Sequence, residues 1–196
     1  MLLKVKSNLI KEIQKKLEIG TVKKQDILEN QANIAYLSLG SNLGKKKKNL
    51  ELAKALLNST GIKIICASSY YKTKSWPNKN FPDYLNAVIL INTNNDLIEL
   101  FEKIKTIEKK VGRTKSPKNY PRICDIDIID FNGFCLSTNY KDNEITIPHK
   151  NMHKRSFVLL PLYEIDKNWI HPKYKKNIVN LLHKLSIIDL SSIKLL

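Results

Sequence analysis

Residues 34–40, IAYLSLG, form an almost unbroken apolar run of the length of a buried strand. Ser41-Asn42 can then turn the chain and cap a helix from about 44 to 58, which Thr60-Gly61 stops. A second run, IKIICASSYYKT (62–73), is rich in β-branched residues and ends in aromatics, which predicts another strand. After the polar, proline-containing stretch 74–83 comes YLNAVILINT (84–93), a third strand. Asn95-Asp96 caps a helix that places Leu97, Leu100, Phe101, Ile104, Ile107 and Val111 on one face. Residues 113–122 read as a loop with two prolines and ICDIDIIDFNG (123–133) as a fourth strand. A hairpin-like stretch to Ile147, then Pro148-His149, an apolar helix near 156–165 and a helix near 176–185 follow. The order β-α-β-β-α-β is that of a ferredoxin-like α+β sandwich, an antiparallel sheet with helices on one face, here extended by the extra C-terminal hairpin and helices. Ahead of it, Leu9, Ile10, Ile13 and Leu17 stand at helical spacing before Gly20, and 20–32 are polar. The pattern therefore predicts an N-terminal extension over 1–32, one short helix and a linker, and a single domain over 33–196.

Composition changes this picture in one respect. The 196 residues carry 34 Lys plus Arg against 18 Asp plus Glu, a formal net charge of +16. Such an excess suggests a polyanionic partner: nucleic acid, anionic lipid or a nucleotide's phosphates. Of the 34 basic residues, 31 are lysines, and Asn and Ile are also abundant. That combination points to a coding bias toward A and T, so part of the charge belongs to solvated faces. The same bias makes Arg113, Arg122 and Arg155 informative, because the guanidinium fork cannot be copied by an ammonium. No apolar stretch reaches the roughly 18 residues of a membrane span, and MLLKVKSNLIKEIQKKL lacks the apolar block of a secretory signal. Cys66, Cys124 and Cys135 are odd in number and form no C-x-x-C, which fits a reducing cytosol and buried small hydrophobes.

Candidate chemistry concentrates at Asp125-Ile126-Asp127. Side chains two apart on a strand share a face, with Cα atoms about 7 Å apart. Two carboxylates among Ile123, Ile126, Ile128 and Ile129 are costly unless cations compensate them. Hard carboxylate oxygens favour Mg²⁺, and two ions roughly 4 Å apart would fit between them. A solvated strand face is the alternative. From Lys109 to Arg122 there are six basic residues and no acid, and only Ile123 and Cys124 separate this run from Asp125. A cationic loop leading into paired carboxylates suits a metal–triphosphate site; a nucleic-acid stripe, or a metal-dependent nuclease, is the competing reading. Gly40-Ser-Asn-Leu-Gly44-Lys45 is not a P-loop, because three residues separate the glycines and Lys46 follows the lysine. Both glycines are expected to shape a strand-to-helix turn, with Lys45–Lys48 a solvated helical start. Among the aromatics, Tyr70 or Tyr71 and Phe81 are expected in the core, whereas Trp76 and Phe157 lie at edges where a flat ring could stack. Asn86, in mid-strand, could read the donor–acceptor edge of a heterocycle.

Taken together, AYLSLGSNLG, S-x-Y-x-T at Ser69–Thr73, F-P-D-Y-L-N-A at 81–87, I-E-K-K-V-G-R at 107–113, P-R-I-C-D-I-D-I-I at 121–129 and P-H-x-x-M-x-x-R-x-F at 148–157 closely resemble the 6-hydroxymethyl-7,8-dihydropterin pyrophosphokinase family. The resemblance implies a ferredoxin-like fold and Mg²⁺-dependent transfer of pyrophosphate from ATP to the pterin's hydroxymethyl oxygen in folate biosynthesis, releasing AMP. It implies two Mg²⁺ on Asp125 and Asp127, a pterin pocket of Thr73, Trp76, Tyr84, Asn86 and Phe157, and an ATP site of Glu108, Arg113, Lys115, Arg122, His149 and Arg155. Arg113 and Arg122 would join the two aspartates in catalysis. A cytoplasmic monomer acting on small molecules, with neither nucleic acid nor membrane as partner, is the expectation. The chain departs from the family pattern at Lys74 (usually Pro), at Lys115 (commonly Arg) and in 114–121, one residue short, where Asn119-Tyr120 replaces an Arg-Trp-Gly-like stretch. Residues 1–32 have no counterpart in the minimal family domain.

Overall fold

The computed structural model describes residues 32–75, 78–117 and 119–196; the predicted N-terminal helix lies outside them. The elements, in chain order, are β1 (Asn33–Ser41), α1 (Lys46–Ser59), β2 (Lys63–Ala67), β3 (Tyr71–Thr73), β4 (Tyr84–Thr93), α2 (Leu97–Val111), β5 (Asp125–Phe131), β6 (Leu136–Tyr140), β7 (Asn143–Ile147), α3 (Ser156–Ile165), α4 (Ile178–Leu182), α5 (Ile187–Ser191) and β8 (Lys194–Leu195). The main sheet runs β5-β1-β4-β3-β8 with β2 also on β4, and each pairing is antiparallel. The ferredoxin-like core is thus present. The segment 62–73 is two strands, not one. β2 breaks at Ala67 after a register shift between Ile64 and Cys66, and β3 resumes pairing with β4 four residues later.

Helices cover both faces, where the pattern placed them on one. Leu37, Leu39, Ile89 and Ile91 face α1 and α2, packing on Leu50, Leu57, Leu100, Ile104 and Ile107. Tyr36, Val88, Leu90 and Ile129 face α3–α5, packing on Val158, Leu159, Leu162, Leu181 and Leu190. Because β1 and β4 are buried on both sides, their sequences read as unbroken apolar runs and not as alternation. The Asp96 carboxylate caps α2, accepting from the Ile98 and Glu99 amides, while Glu99 reaches back to the Asp96 amide. Helix α1 has no such cap: Lys45 holds that position. The expected capping by Ser41-Asn42 fails because Asn42 spends its side chain elsewhere, on Arg122 and Pro82. Among the described residues, no helix is long and apolar enough to cross a membrane.

One irregularity decides which acids of β5 are which. Leu37 pairs with Ile128 and Tyr36 with Asp130, so Ile129 is an extra residue in the β1–β5 ladder. Before this bulge, Asp125 and Asp127 are half-exposed. After it, Asp130 is buried and accepts from the Trp169 indole at 2.8 Å and the Gly133 amide at 2.9 Å. Cys124 is buried and Cys66 half-buried, as expected of small hydrophobes, but Cys135 is exposed on the turn into β6.

Candidate active site

In an antiparallel sheet, directly paired residues lie on one face. Gly40 pairs with Asn86 on one side and Asp125 on the other; Ser38 pairs with Asp127, Thr73 with Tyr84 and Tyr71 with Asn86. Adjacent rows on the α3 side of the sheet therefore set Thr73, Tyr84 and Asn86 at one end and the two aspartates at the other, with Gly40 between. The Asn86 amide donates to Thr73 Oγ1 at 2.9 Å, so both buried polar groups are satisfied by each other. A Cβ at Gly40 would stand 3.2 Å from Asn86 Oδ1 and 3.5 Å from the Tyr84 ring. Gly40 is thus a strand residue kept small for close approach; the turn glycine is Gly44, at φ +62°.

All three arginines converge on the carboxylate pair. Asp125 Oδ1 accepts from Arg113 at 2.7 Å and from Arg122 at 3.0 Å. Asp127 Oδ2 meets Arg155 at 3.4 Å and His149 Nε2 at 3.9 Å. The same Arg113 nitrogen also donates to Glu108, whose buried carboxylate accepts from the Ile126 amide at 2.7 Å and from Lys105 at 3.0 Å. Burial pushes the Glu108 carboxyl up despite Lys105 and Arg113. Burial also pushes His149 down; Asp127 opposes that and Arg155 adds to it. Tyr84 is raised by burial and feels Arg122, Asp125, Arg113 and Asp127, which links the two ends of the cleft. The Arg155 guanidinium lies 5.6 Å from the Phe157 ring centroid. Among the described residues, no group of three or more His, Cys, Asp or Glu could hold a metal. The donor set is the two aspartates, half-exposed and hard, which suits a cation that completes its shell with phosphate and water oxygens.

Of the residues expected from the sequence, Glu108, Arg113, Arg122, Asp125, Asp127, His149, Arg155 and Phe157 form one cluster, with Thr73, Tyr84 and Asn86 across Gly40. Lys115 stands exposed on the loop after α2, and no contact joins it to the aspartates. Trp76 lies outside the described residues. Phe81 is half-buried and not core; its ring lies 5.5 Å from that of exposed Tyr120. Asn42, which the sequence marks only as part of a helix cap, instead bridges loops at the site. Its amide donates to the Arg122 carbonyl at 3.1 Å, its Oδ1 accepts from the Arg122 amide at 2.7 Å, and its Nδ2 donates to the Pro82 carbonyl at 3.3 Å. It ties the loop after β1 to the loops that precede β4 and β5. The signal was the Ser-Asn pair after a strand with no helical register immediately behind it.

Fold and cleft together define a class: a ferredoxin-like domain that sets three arginines around paired carboxylates at one end of its sheet. Residues 36–167 match the family described as 7,8-dihydro-6-hydroxymethylpterin-pyrophosphokinase (HPPK). The chain belongs to this family. It is 37% identical over 134 residues to the 2-amino-4-hydroxy-6-hydroxymethyldihydropteridine pyrophosphokinase of Bacillus subtilis, covering 68% of this chain and 78% of that one. It is 35% identical over 153 residues to the folic acid synthesis protein fol1 of Schizosaccharomyces pombe, covering 78% of this chain but 20% of that protein, so the chain spans about a fifth of that relative's length. In fold it is similar to the crystal structure of Plasmodium falciparum HPPK-DHPS, with a TM-score of 0.68 at 17% identity over 88% of this chain and 49% of that one.

Proposed function

We propose that the protein transfers pyrophosphate from ATP to the hydroxymethyl oxygen of 6-hydroxymethyl-7,8-dihydropterin, giving the pterin diphosphate and AMP in folate biosynthesis. The observation that carries this reading is the convergence of Arg113, Arg122 and Arg155 on Asp125 and Asp127, one glycine away from the Thr73–Asn86 pair. The pterin would lie against Tyr84, Asn86, Thr73 and Phe157, its polar edge read by the Asn86 amide. The substrate hydroxyl oxygen attacks the β-phosphorus and gives up its proton to water, the bond from that phosphorus to the α–β bridging oxygen breaks, and AMP leaves with that oxygen. The attacking group belongs to the substrate, so the protein's part is alignment and charge stabilisation. Arg113, Arg122 and Arg155, with His149, would hold the phosphates, and each arginine trades part of its carboxylate contact for a phosphate oxygen. Asp125 and Asp127 would hold Mg²⁺, two ions in this reading, which neutralises charge on the transferred group when bound. Tyr120, set against Phe81, would close the pterin end in place of a tryptophan. The nucleic-acid or nuclease alternative finds no support in family or fold.

Incubating the protein with ATP, Mg²⁺ and the hydroxymethyl-dihydropterin is expected to yield AMP and pterin diphosphate in equal amounts by anion-exchange chromatography; ADP without AMP would overturn the reading. Gly40→Ala tests the cleft floor. The added methyl forces Asn86 or Tyr84 to shift, so the KM for pterin should rise about tenfold with the KM for ATP little changed. An unchanged pterin KM would separate Gly40 from the pocket.

A further inference from the structure

The Ser69–Thr73 motif spaces three polar side chains two apart, and the reading above uses only Thr73. Ser69 and Tyr71 instead converge on one carboxylate from the opposite layer. Glu164, half-buried in the last turn of α3, accepts through Oε1 from the Ser69 amide at 2.9 Å and from Ser69 Oγ at 2.7 Å. Its Oε2 accepts from the Tyr71 hydroxyl at 2.7 Å. Burial, and then the Glu164 carboxylate itself, hold Tyr71 well above the ordinary phenol range, so this hydroxyl stays a donor.

The partners of this carboxylate have weak support of their own. β3 is three residues long; it pairs with β4 at three positions and has only the two-residue β8 beyond it. Residues 68–70 join it to β2 with a single backbone bond to β4, from the Ser68 amide to the Val88 carbonyl, backed by the Val88 amide on Ser68 Oγ. Tyr71 stands directly opposite Asn86, whose amide holds Thr73. At the other end of α3, the helix opens with Arg155, Ser156 and Phe157, and Arg155 faces Asp127. One helix, with Pro161 in its interior, thus holds the pterin-facing strand β3 at its C-terminal end and presents a phosphate-facing arginine and an aromatic wall at its start.

We propose that Glu164 is a positioning residue for pterin binding: it fixes the Thr73–Asn86 wall at a set distance from Arg155 and Phe157. The inference deepens the pyrophosphokinase reading and rests on it for the identity of the ligand. Removing the carboxylate frees β3 to drift, while the ATP-facing groups stay in place: Glu108 on α2, Arg113 and Arg122 on the loop before β5, His149 after β7 and Arg155 at the start of α3. The effect therefore falls on one substrate.

The test uses the whole chain with Glu164→Ala, Glu164→Gln and Tyr71→Phe. Glu164→Ala should raise the KM for pterin about tenfold, while kcat and the KM for ATP stay within about twofold. Glu164→Gln keeps an oxygen for both Ser69 donors and should recover to within about threefold of the parent, and Tyr71→Phe should raise the pterin KM about threefold. Amide hydrogen exchange at Tyr71–Thr73 should quicken in Glu164→Ala with β1 unchanged. An unchanged pterin KM, an equal rise for both substrates, or a Gln variant no better than Ala overturns the proposal. If Glu164→Ala does not fold, Glu164→Gln and Tyr71→Phe decide it on the same criteria. Absence of AMP from the parent chain defeats the pyrophosphokinase reading, whereas unaltered exchange in β3 defeats the clamp alone.

Discussion

Asp127→Asn is expected to lower the rate of AMP formation by about a thousandfold, and Asp125→Asn by a similar factor, because each removes a full negative charge where the proposed reaction brings cation and phosphate together. Both changes keep the size of the side chain. Asp127 is about one-third exposed and its contacts to Arg155 and His149 are 3.4 Å and 3.9 Å, so the fold loses little with its charge. A steady-state AMP assay at saturating substrates, read beside a thermal melt, separates the two effects. Asp127→Asn at the parent rate would remove this carboxylate from the reaction. A lost rate with a collapsed melt would make the residue structural.

Arg113→Ala is expected to damage both fold and activity, for different reasons. Its guanidinium lies between Glu108 and Asp125. Glu108 is 1% exposed, and Lys105 would be its one remaining ion-pair partner among the described residues. A buried carboxylate stripped of a partner costs about 3 kcal/mol, which for a domain of this size lowers the melting temperature on the order of 6–12 °C. Activity should fall about a hundredfold from loss of the donor that the proposed function assigns to phosphate. The double variant Arg113→Ala with Glu108→Gln divides these effects. The neutral amide can still accept from the Ile126 amide and no longer needs a cation, so the melt should recover while the rate does not. Recovery of both would show that Arg113 serves only to neutralise Glu108.

Where an element is buried on both sides or amphipathic, the sequence makes it plain. β1, β4 and α2 emerge near their expected bounds because a continuous apolar run or a 3.6-residue stripe leaves one interpretation. That these residues gather in one place is legible for a related reason: three arginines in a lysine-rich chain and paired acids in an apolar strand each oppose the local background. What was not legible depends on contacts distant in sequence. Ser41-Asn42 has the composition of a helix cap, but Arg122, eighty residues away, supplies the better partner. The break between β2 and β3 falls at Ser68-Ser69, a pair too short to stand out between β-branched and aromatic residues; it is set by register against β4 and by Glu164. Phe81 looks like core until Tyr120 is placed beside it, and Cys135 looks buried until the turn that exposes it is known. The second helical layer was visible as helices, but not as the cover of a particular face.

The bulge at Ile129 carries a consequence for how this strand tolerates change. It divides the sequence Asp-Ile-Asp-Ile-Ile-Asp into two parts under separate constraint. The first two acids face the arginines of the candidate site and the third, buried, is held by Trp169. Because Tyr36, Ser38 and Gly40 share one face, the extra residue keeps all three acids on the α3 side; in an unbulged strand of this sequence Asp130 would turn to the opposite face and lose Trp169. The spacing within this hexapeptide is therefore as much a part of the site as the carboxylates themselves.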